Sequence, residues 1–167
     1  FLKINKGAGY CRNLALNKSN SKYVAFLDSD DIWEKNKLRL QINLMEKYDY
    51  DFTYTFYSTF KRNQNKLVNK ISTNLKFDYS NFIKNKSIAT STIIIKKELS
   101  KNIKFTSTPI LEDYFFKCQL LKKIKYAYCL NKFLTKYRIR NNSLQSNKLR
   151  NFYWLWLINS KYNKLNF

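Results

Sequence analysis

Apolar and polar residues follow one another along the first third of the chain in a pattern that predicts a helix, a strand and a second helix. Residues 7–17 carry Leu14 among small and polar neighbours and predict a short helix entered through a glycine turn. The compact apolar stretch KYVAFLD, residues 22–28, predicts a buried strand. Apolar residues at 38, 42 and 45, beside those at 40 and 44, predict an amphipathic helix over 35–48.

The middle of the chain predicts two further strands. Residues 51–60, DFTYTFYSTF, are rich in aromatic and β-branched side chains, which favour a strand. Residues 87–97, SIATSTIIIKK, predict a third strand by the same reasoning. Between the two, residues 66–77 predict a polar, variable connection.

The last third predicts two helices around a pair of strands. Apolar residues at helical spacing predict a helix over 111–121, with Pro109 suited to its first turn. Residues 125–139 predict two short strands around a turn at Asn131. The tail, residues 145–162, predicts a helix with one apolar face at 149, 152, 153 and 156 and another at 154, 155 and 158. Strands and helices that alternate in this way indicate an α/β fold with a mixed sheet.

Composition agrees with one globular domain and excludes several classes of protein. The 167 residues are 44% apolar and 17% aromatic, which is enough for a hydrophobic core. The longest apolar run, residues 152–158, is far shorter than the roughly 20 residues of a membrane-spanning helix. The three cysteines are odd in number, widely spaced and outside any CxxC pair, so neither a disulfide framework nor a zinc site is indicated.

The formal net charge of +21 predicts an anionic partner. Nucleic acid and an anionic membrane surface are the two candidates. Proteins that read nucleic acid rely on the bidentate guanidinium of arginine, whereas the 32 basic residues here are mostly lysine. We therefore expect no nucleic-acid partner and favour a membrane surface, which attracts diffuse lysine charge.

Three aspartates, Asp28, Asp30 and Asp31, follow the first predicted strand in the stretch FLDSDDIW. Ligands of open α/β sheets bind at the carboxyl ends of strands. Two carboxylates at positions i and i+2 of a turn can hold Mg²⁺ or Mn²⁺, since these hard cations take oxygen ligands and substrate phosphates. Alternatively, Ser29 or Asp30 caps a short helical turn. The sequence has no histidine, so a metal site here would have only oxygen ligands.

A second acidic pair, Glu112 and Asp113, lies at the start of the predicted helix 111–121. The helix dipole favours negative charge at that end, which is a structural role. The pair is also flanked by apolar side chains, and such a setting raises the pKa of a carboxyl and makes it a better proton acceptor near neutral pH.

Two basic stretches are weaker candidates. NKGAGYCRN places Arg12 one helical turn after Gly7, where the guanidinium and backbone N–H groups can face a diphosphate. A capped surface helix with a solvated arginine is the alternative. YRIRNNS supplies Arg138 and Arg140 after the last predicted strand, where a solvated basic loop is the alternative.

Taken together and in this order, these stretches resemble the family 2 glycosyltransferases, which have the GT-A fold. The resemblance runs from residue 1 to about residue 143. It implies a GT-A-like, Rossmann-like mixed sheet flanked by helices. Its motifs are N-x-G-x-x-x-x-R-N at 5–13, FLDSDDIW with the helix KLRLQINLM behind it, the ED pair at 112–113, and YR at 137–138 before Ser143.

The resemblance also implies roles for the acidic residues. Asp28 would approach the ribose or sugar of the donor, and Asp30 would hold the metal that bridges the two phosphates, Mn²⁺ or Mg²⁺. Asp31 would support that turn. Asp113 would be the general base that takes the proton of the acceptor hydroxyl, with inversion at the anomeric carbon, and Glu112 would be its neighbour on the acceptor side.

For the basic motifs, the resemblance implies contacts with the donor. Gly7 and Arg12 would lie near the nucleotide base and diphosphate, and Arg138 is a looser match that would face phosphate or acceptor. No Q-x-x-R-W motif is found, which favours a transferase of single sugars over a processive synthase. The implied partners are a nucleotide-sugar donor, UDP-sugar above all, and a saccharide or lipid-linked acceptor in surface polysaccharide or lipopolysaccharide biosynthesis.

The chain departs from the family at its beginning. The usual first strand, V-S-I-I-I-P-x-Y-N, and the next strand with nucleotide-binding acidic residues are missing. We therefore expect an N-terminally truncated catalytic domain at 1–143, followed by an amphipathic helical tail at 144–167. An inactive remnant of the family is one alternative reading, and a basic nucleic-acid-binding module is the other.

The tail is expected first to pack against the domain, and contact with a membrane is a second hypothesis. One face is expected to pack on the domain, while Trp154, Trp156 and Tyr162 beside Lys161 and Lys164 suit a helix at a membrane interface. The expected location is the cytoplasm, at the inner face of the cytoplasmic membrane.

Overall fold

The computed structural model describes residues 4–61, 67–85, 87–139 and 148–165. Arg140 and Ser143 of the YRIRNNS stretch and the first residues of the predicted tail lie outside these ranges. The described chain is an α/β protein in which helices flank a mixed sheet, as predicted. In chain order its elements are α1 (Ala8–Lys18), β1 (Tyr23–Ala25), β2 (Ile32–Trp33), α2 (Lys37–Tyr48), β3 (Phe52–Phe60), β4 (Leu67–Ile71), β5 (Lys76–Phe77), α3 (Tyr79–Asn85), β6 (Ile94–Lys96), α4 (Glu112–Leu121), β7 (Ala127–Arg138) and α5 (Lys148–Leu157).

The described strands form a seven-stranded sheet around β3 and β7. The order along the sheet is β1-β6-β3-β7-β2, with β4 added to β3 and β5 added to β7. β3 and β7 run parallel, and the other described pairs are antiparallel. β3 is buried along almost its whole length, as its run of aromatic and β-branched residues predicts. The prediction of a strand over 51–60 is therefore confirmed.

The predicted pair of strands at 125–139 is wrong, because β7 is one continuous strand. Its pairing with β3 jumps from Thr55 opposite Leu130 to Phe56 opposite Phe133. Asn131, the predicted turn residue, lies in the bulge that this jump creates. A bulge adds residues to one strand without reversing it, so a polar residue between two apolar runs does not have to mark a turn.

Two other predicted segments differ from the structure. Only Ile94–Lys96 of the predicted strand 87–97 is a strand, and Thr90–Thr92 form a buried 3₁₀ turn, which we call the TST turn. The predicted connection at 66–77 contains β4, which forms a hairpin with the end of β3, and β5, which pairs with β7.

Helix α4 begins later than Pro109, so proline is not in its first turn. The residue that precedes the helix is Leu111, whose φ of 62° places it in the left-handed region. Phe116 of α4 packs with two aromatic rings that lie outside the helix, Phe26 and Phe105. Phe105 and Phe116 stack with centroids 3.9 Å apart, and Phe26, which follows β1, meets the edges of both.

Helix α2 buries polar residues on the face that meets the sheet. Its fully buried positions are Lys37, Gln41 and Met45, whereas Leu38, which we expect on the apolar face, is exposed. Lys37 donates to Gln41 Oε1 at 2.9 Å and lies over the Trp33 ring. Burial lowers the pKa of Lys37 to about 7.

The C-terminal helix packs with one of its two predicted apolar faces. Ile158, in the short π-helix that continues α5, is buried, and the neighbouring Asn159 accepts a hydrogen bond from Tyr114 of α4 at 2.8 Å. The other face points to solvent: its side chains are Leu149, Phe152, Tyr153 and Trp156, and all four are at least half exposed. Within the described part of the chain, no helix is long and apolar enough to cross a membrane.

Replacing Lys37 by methionine is expected to stabilise the protein most at low pH. The pKa of Lys37 is lower in the folded state than the ordinary value of about 10.4, so folding disfavours its charged form. The cost of burying this charge grows as pH falls towards 7 and is fully present below 7. We expect Lys37→Met to raise the free energy of unfolding by roughly 1 to 4 kcal/mol at about pH 6, and by much less at about pH 10.

Urea unfolding at both pH values measures this difference. The control is Lys35→Met, which removes an exposed lysine just before the same helix. If Lys37→Met raised the free energy of unfolding equally at both pH values, burial of the lysine charge would not be the cause of the gain.

Candidate active site

Most of the predicted site residues meet in one cleft of about 930 Å³. Its walls are the start of α1, residues 87–90, residues 105–111, the start of α4, and residues 151, 152 and 155 of α5. Asp30, Asp31 and Arg138 lie beside this cleft and do not line it. The predicted site residues that line it are Gly7, Arg12, Asp28, Glu112 and Asp113.

Arg12 joins the two acidic motifs. Its guanidinium donates to Asp28 Oδ1 at 2.5 Å and to Glu112 Oε1 at 2.8 Å. Burial alone would lower the pKa of Arg12, but the charge and hydrogen bond of Asp28 and the charge of Glu112 raise it. The arginine is therefore a fixed positive charge between carboxylates that are 84 residues apart in the sequence.

The turn that begins α1 requires glycine at position 7. Gly7 has φ of 82°, in the left-handed region that a side chain disfavours. Its N–H donates to Asn5 Oδ1 at 2.9 Å, which closes the turn. The first asparagine and the glycine of the N-x-G-x-x-x-x-R-N motif thus set the direction from which α1 and Arg12 enter the cleft.

The last asparagine of that motif holds the opposite wall of the cleft. Asn13 donates to the Phe105 carbonyl and accepts from the Phe105 N–H, both at 2.8 Å. Gly9 makes this close approach feasible, because a Cβ there would lie 2.8 Å from the Thr106 carbonyl oxygen and 3.2 Å from Glu112 Cγ. Sequence reasoning missed Gly9, although a second glycine in a helix interior signals a close contact.

Residues 28–31 form a turn, which we call the aspartate turn, and hydrogen bonds hold it from two sides. The Asp31 N–H donates to the Asp28 carbonyl at 3.0 Å, and the Asp28 N–H donates to Ser91 Oγ of the TST turn at 3.1 Å. Asp31 is buried, and its Oδ1 accepts the backbone N–H of Arg138 at 2.9 Å. Burial raises the pKa of Asp31. Asp31 therefore holds the aspartate turn against β7 by a hydrogen bond.

The carboxylates of this turn fit a hard divalent cation by their chemistry. Asp28 is one-third exposed and faces the cleft, and Asp30 is half-buried in the same turn. Carboxylate oxygens are the ligands that Mg²⁺ and Mn²⁺ prefer, and Mg²⁺ usually completes its shell with substrate phosphates and water. Among the described residues, no group of three or more His, Cys, Asp or Glu side chains converges as a metal site by itself.

Asp113 is held by two donors from different elements. Thr90 Oγ1 donates to Asp113 Oδ2 at 2.7 Å, and Lys117 Nζ donates to the same oxygen at 2.8 Å. Burial alone would raise the pKa of Asp113, but the charge and hydrogen bond of Lys117, together with the Thr90 bond, hold it below its ordinary value. The predicted rise in pKa is therefore wrong in direction, because the apolar neighbours in sequence are not the groups that the carboxylate contacts.

Lys117 and the TST turn are parts of the site that sequence reasoning missed. Lys117 is buried in α4, four residues after Asp113, and this spacing puts acid and base on one face of a helix. A lysine among FF and CQLL in an apolar helix is the signal that could have found it. The TST turn gives a weaker signal, since three small polar residues also suit a β-strand.

Tyr137 and Arg138, at the end of β7, point in opposite directions, as neighbours on a strand do. Tyr137 lines the cleft, and burial and the nearby aspartates raise its pKa to about 12. The Arg138 guanidinium lies over the Phe60 ring, with its central carbon 5.4 Å from the ring centroid. The described contact of Arg138 with the aspartate turn is through its backbone, and a side-chain contact with ligand stays a prediction.

The sequence of the chain matches a known family. The family described as Glycosyl transferase family 2 matches residues 1–123. TuaG of Bacillus subtilis, a glycosyltransferase assigned to teichuronic acid biosynthesis, is 34% identical over 100% of this chain. WfgD of Escherichia coli, a UDP-Glc:α-D-GlcNAc-diphosphoundecaprenol β-1,3-glucosyltransferase, is 34% identical over 90% of it. The chain spans 66% of the length of TuaG and 59% of that of WfgD.

The fold matches solved structures of S. aureus TarS. Residues 1–349 of S. aureus TarS in complex with UDP-GlcNAc superpose with a TM-score of 0.71 at 20% identity. The match covers 92% of this chain and 46% of that one. The GT-A-like mixed sheet predicted from the sequence is therefore confirmed as the fold.

Replacing Asn13 by alanine is expected to destabilise the cleft wall. The substitution removes both hydrogen bonds to Phe105 and leaves that residue's backbone N–H and carbonyl unpaired in a partly buried place. We expect a loss of about 1 to 3 kcal/mol in the free energy of unfolding. The control is Asn17→Ala, which alters an exposed asparagine on the same helix. Equal losses in both variants, measured by urea unfolding, would contradict this role.

Proposed function

Because the chain belongs to the family 2 glycosyltransferases, we propose that its cleft transfers one sugar from a nucleoside-diphosphate sugar to a saccharide or lipid-linked acceptor, with inversion at the anomeric carbon. UDP-sugar is the proposed donor, since WfgD is named for UDP-Glc and TarS was solved with UDP-GlcNAc. A sugar on a polyprenyl diphosphate is the acceptor that the name of WfgD suggests. The proposed pathway is the synthesis of a surface polysaccharide.

The bridge of Arg12 between Asp28 and Glu112 is the observation that carries the proposal. It places the carboxylate proposed for the donor beside the acidic pair proposed for the acceptor. A transferase needs both substrates in contact at one centre, because holding two reactants together supplies much of the catalysis. A structural ion pair alone would not require Asp113, next to Glu112, to line the same cleft.

In the proposed reaction, the acceptor hydroxyl oxygen bonds to the anomeric carbon as the bond from that carbon to the diphosphate oxygen breaks. The hydroxyl proton passes to Asp113. The pKa of Asp113 lies below its ordinary value, so the carboxylate is ionised at neutral pH. The same shift makes it a weaker base, so in this proposal its contribution rests on its position beside the acceptor hydroxyl. The electron pair of the broken bond leaves with the diphosphate.

The other predicted residues assist the departing group and hold the substrates. Asp30 and Asp28 would hold Mn²⁺ or Mg²⁺, which supplies positive charge to the diphosphate as it leaves. Asp31 would keep their turn in place from β7. Glu112 would lie at the acceptor side, and Arg12 would add a positive charge beside the donor. Gly7 shapes the turn that brings Arg12 there. Arg138, which lies beside the cleft, would contact the phosphate or the acceptor.

The lipid-linked acceptor implies work at a membrane surface, on the cytoplasmic side where nucleotide sugars are made. We propose that residues 144–167 form a tail on the catalytic domain 1–143 and that the exposed face of α5 meets the membrane interface. That face carries Phe152 and Trp156, and Phe152 also lines the cleft, so the surface leads directly to the reaction centre. Aromatic side chains beside lysines suit the headgroup region.

Substitution of Asp30 and of Asp113 should separate the donor and acceptor roles. We expect calorimetry to show binding of UDP that depends on Mn²⁺ and is lost in Asp30→Asn. Asp113→Asn should bind UDP as the wild type does, but its turnover number should fall about 100-fold or more, since it cannot accept the proton.

Two results would contradict the proposal. Binding of UDP that is the same with and without Mn²⁺ in the wild type and in Asp30→Asn would exclude the metal role of the aspartate turn. Full turnover in Asp113→Asn would exclude Asp113 as the base. Thermal unfolding of each variant shows whether a loss merely reports misfolding.

Polar substitution of the exposed face of α5 should weaken membrane binding. Phe152→Ser with Trp156→Ser removes two exposed aromatic side chains without touching buried Ile158. We expect co-sedimentation with anionic liposomes to weaken by about tenfold or more. Leu75→Ser, at an exposed site before β5, is the control. Undiminished co-sedimentation of the double variant would reject this face as the contact.

A further inference from the structure

The hydrogen bonds from described side chains to the Asp113 carboxylate all end on one of its two oxygens. The described side chains that bond to it, Thr90 and Lys117, both donate to Oδ2. Asp113 nevertheless lines the cleft, and its side chain is about one-quarter exposed. Two strong donors on one oxygen restrain rotation of the carboxylate and leave Oδ1 as the oxygen that can accept a further bond from the cleft.

We propose that Lys117 and Thr90 are positioning residues that hold Oδ2 of Asp113 so that Oδ1 is presented to the hydroxyl of the acceptor. This inference rests on the proposed function, because it assumes that Asp113 is the base. Neither residue belongs to the motifs that carry the resemblance to the family. The acceptor proton passes to Oδ1, and Lys117 and Thr90 lose no proton in the step.

The surroundings of Lys117 favour this role over that of an ordinary ion pair. Its side chain is about 5% exposed, and its Nζ also donates to the Ile88 carbonyl at 2.8 Å and lies 3.4 Å from Thr90 Oγ1. Exposed ion pairs contribute little to stability and hold no fixed geometry. A buried ammonium with three oxygen neighbours has one position, so the Asp113 oxygen that it contacts also has one position.

Thr90 is held as firmly as Lys117. It lies in the buried TST turn, where Ser91 accepts the N–H of Asp28 and the Thr92 carbonyl accepts the side chain of Gln41. These bonds restrain the backbone that carries Thr90, and its buried hydroxyl lies between Asp113 Oδ2 and Lys117 Nζ. A catalytic group must stay close to its productive geometry, and neighbours that cannot move are what keep it there.

The charges around Asp113 determine what removing Lys117 should do. Arg12 of α1 is a second positive group near the carboxylate, Glu112 and Asp28 are negative, and Tyr137 of β7 is a neutral phenol. Lys117 is the nearest positive charge and the largest cause of the lowered pKa of Asp113. Its removal should therefore raise that pKa even though Arg12 remains.

Carbon-13 NMR titration of the Asp113 carboxyl, assigned by its loss in Asp113→Asn, tests the contact without any substrate. In Lys117→Met the pKa of Asp113 should rise by about 1 pH unit or more. Lys96→Met, which removes a lysine paired with Asp49 and Asp51 away from the cleft, should leave it unchanged. An Asp113 pKa that stays the same in Lys117→Met overturns the proposal.

Thr90 supplies a second test that avoids a buried charge. Thr90→Val keeps the shape of the side chain and removes its hydroxyl, whereas Thr90→Ser keeps the hydroxyl. With UDP-glucose or UDP-GlcNAc as donor and UDP release as the readout, Thr90→Val should lower kcat by about tenfold with little change in KM, because geometry and not binding is lost. Thr90→Ser should restore kcat.

The two experiments distinguish failure of this inference from failure of the proposed function. Equal kcat in Thr90→Val and the wild type overturns the positioning role, whatever the activity of Asp113→Asn. Full turnover in Asp113→Asn rejects the base, and the positioning role falls with it even if the titration shows the contact. A pH profile whose acidic limb moves to higher pH in Lys117→Met, but not in Lys96→Met, supports both.

Discussion

The buried TST turn is the constraint on which the arrangement of the cleft depends. Three successive residues bond to three different parts of the chain: Thr90 to Asp113 of α4, Ser91 to the aspartate turn, and Thr92 to Gln41 of α2. The Ser91 carbonyl also accepts the indole N–H of Trp33. A segment this short has no freedom to move one contact without the others. The turn therefore links Asp28 to Asp113 through short side chains on two adjacent residues, Ser91 and Thr90.

The acidic groups of the cleft need local positive charge, which the overall charge of +21 does not provide. Most lysines are on the surface, where solvent and salt screen them. Arg12 and Lys117 are different because they are largely buried and each touches a carboxylate. Partners that are shielded from water act strongly on pKa, so two residues control the electrostatics of a site in a protein with 32 basic side chains.

Periodicity predicted the elements whose burial follows from their own residues. α1, α2, α4 and β3 lie where the pattern places them, since each buries a face or a whole strand. The bulge in β7 could not be predicted, because it depends on the register with β3, which local sequence does not determine. The buried lysines, Lys37 and Lys117, each have a partner four residues away in the same helix, Gln41 and Asp113. They were missed because local sequence does not show that these positions are buried by tertiary packing.

Glu112 and Asp113 are adjacent carboxylates that the fold separates into different environments. The two environments differ from the residue before the pair onward. Leu111 has a left-handed φ that turns the chain sharply into the first turn of α4. This conformation costs about 1 to 2 kcal/mol for a residue with a side chain. Beyond it, Glu112 meets Arg12, while Asp113 meets Thr90 and Lys117. Each of the two adjacent carboxylates is paired with a different cation, Glu112 with Arg12 and Asp113 with Lys117, which offsets the repulsion between them. Two residues of one motif therefore lie in different surroundings and can have different roles.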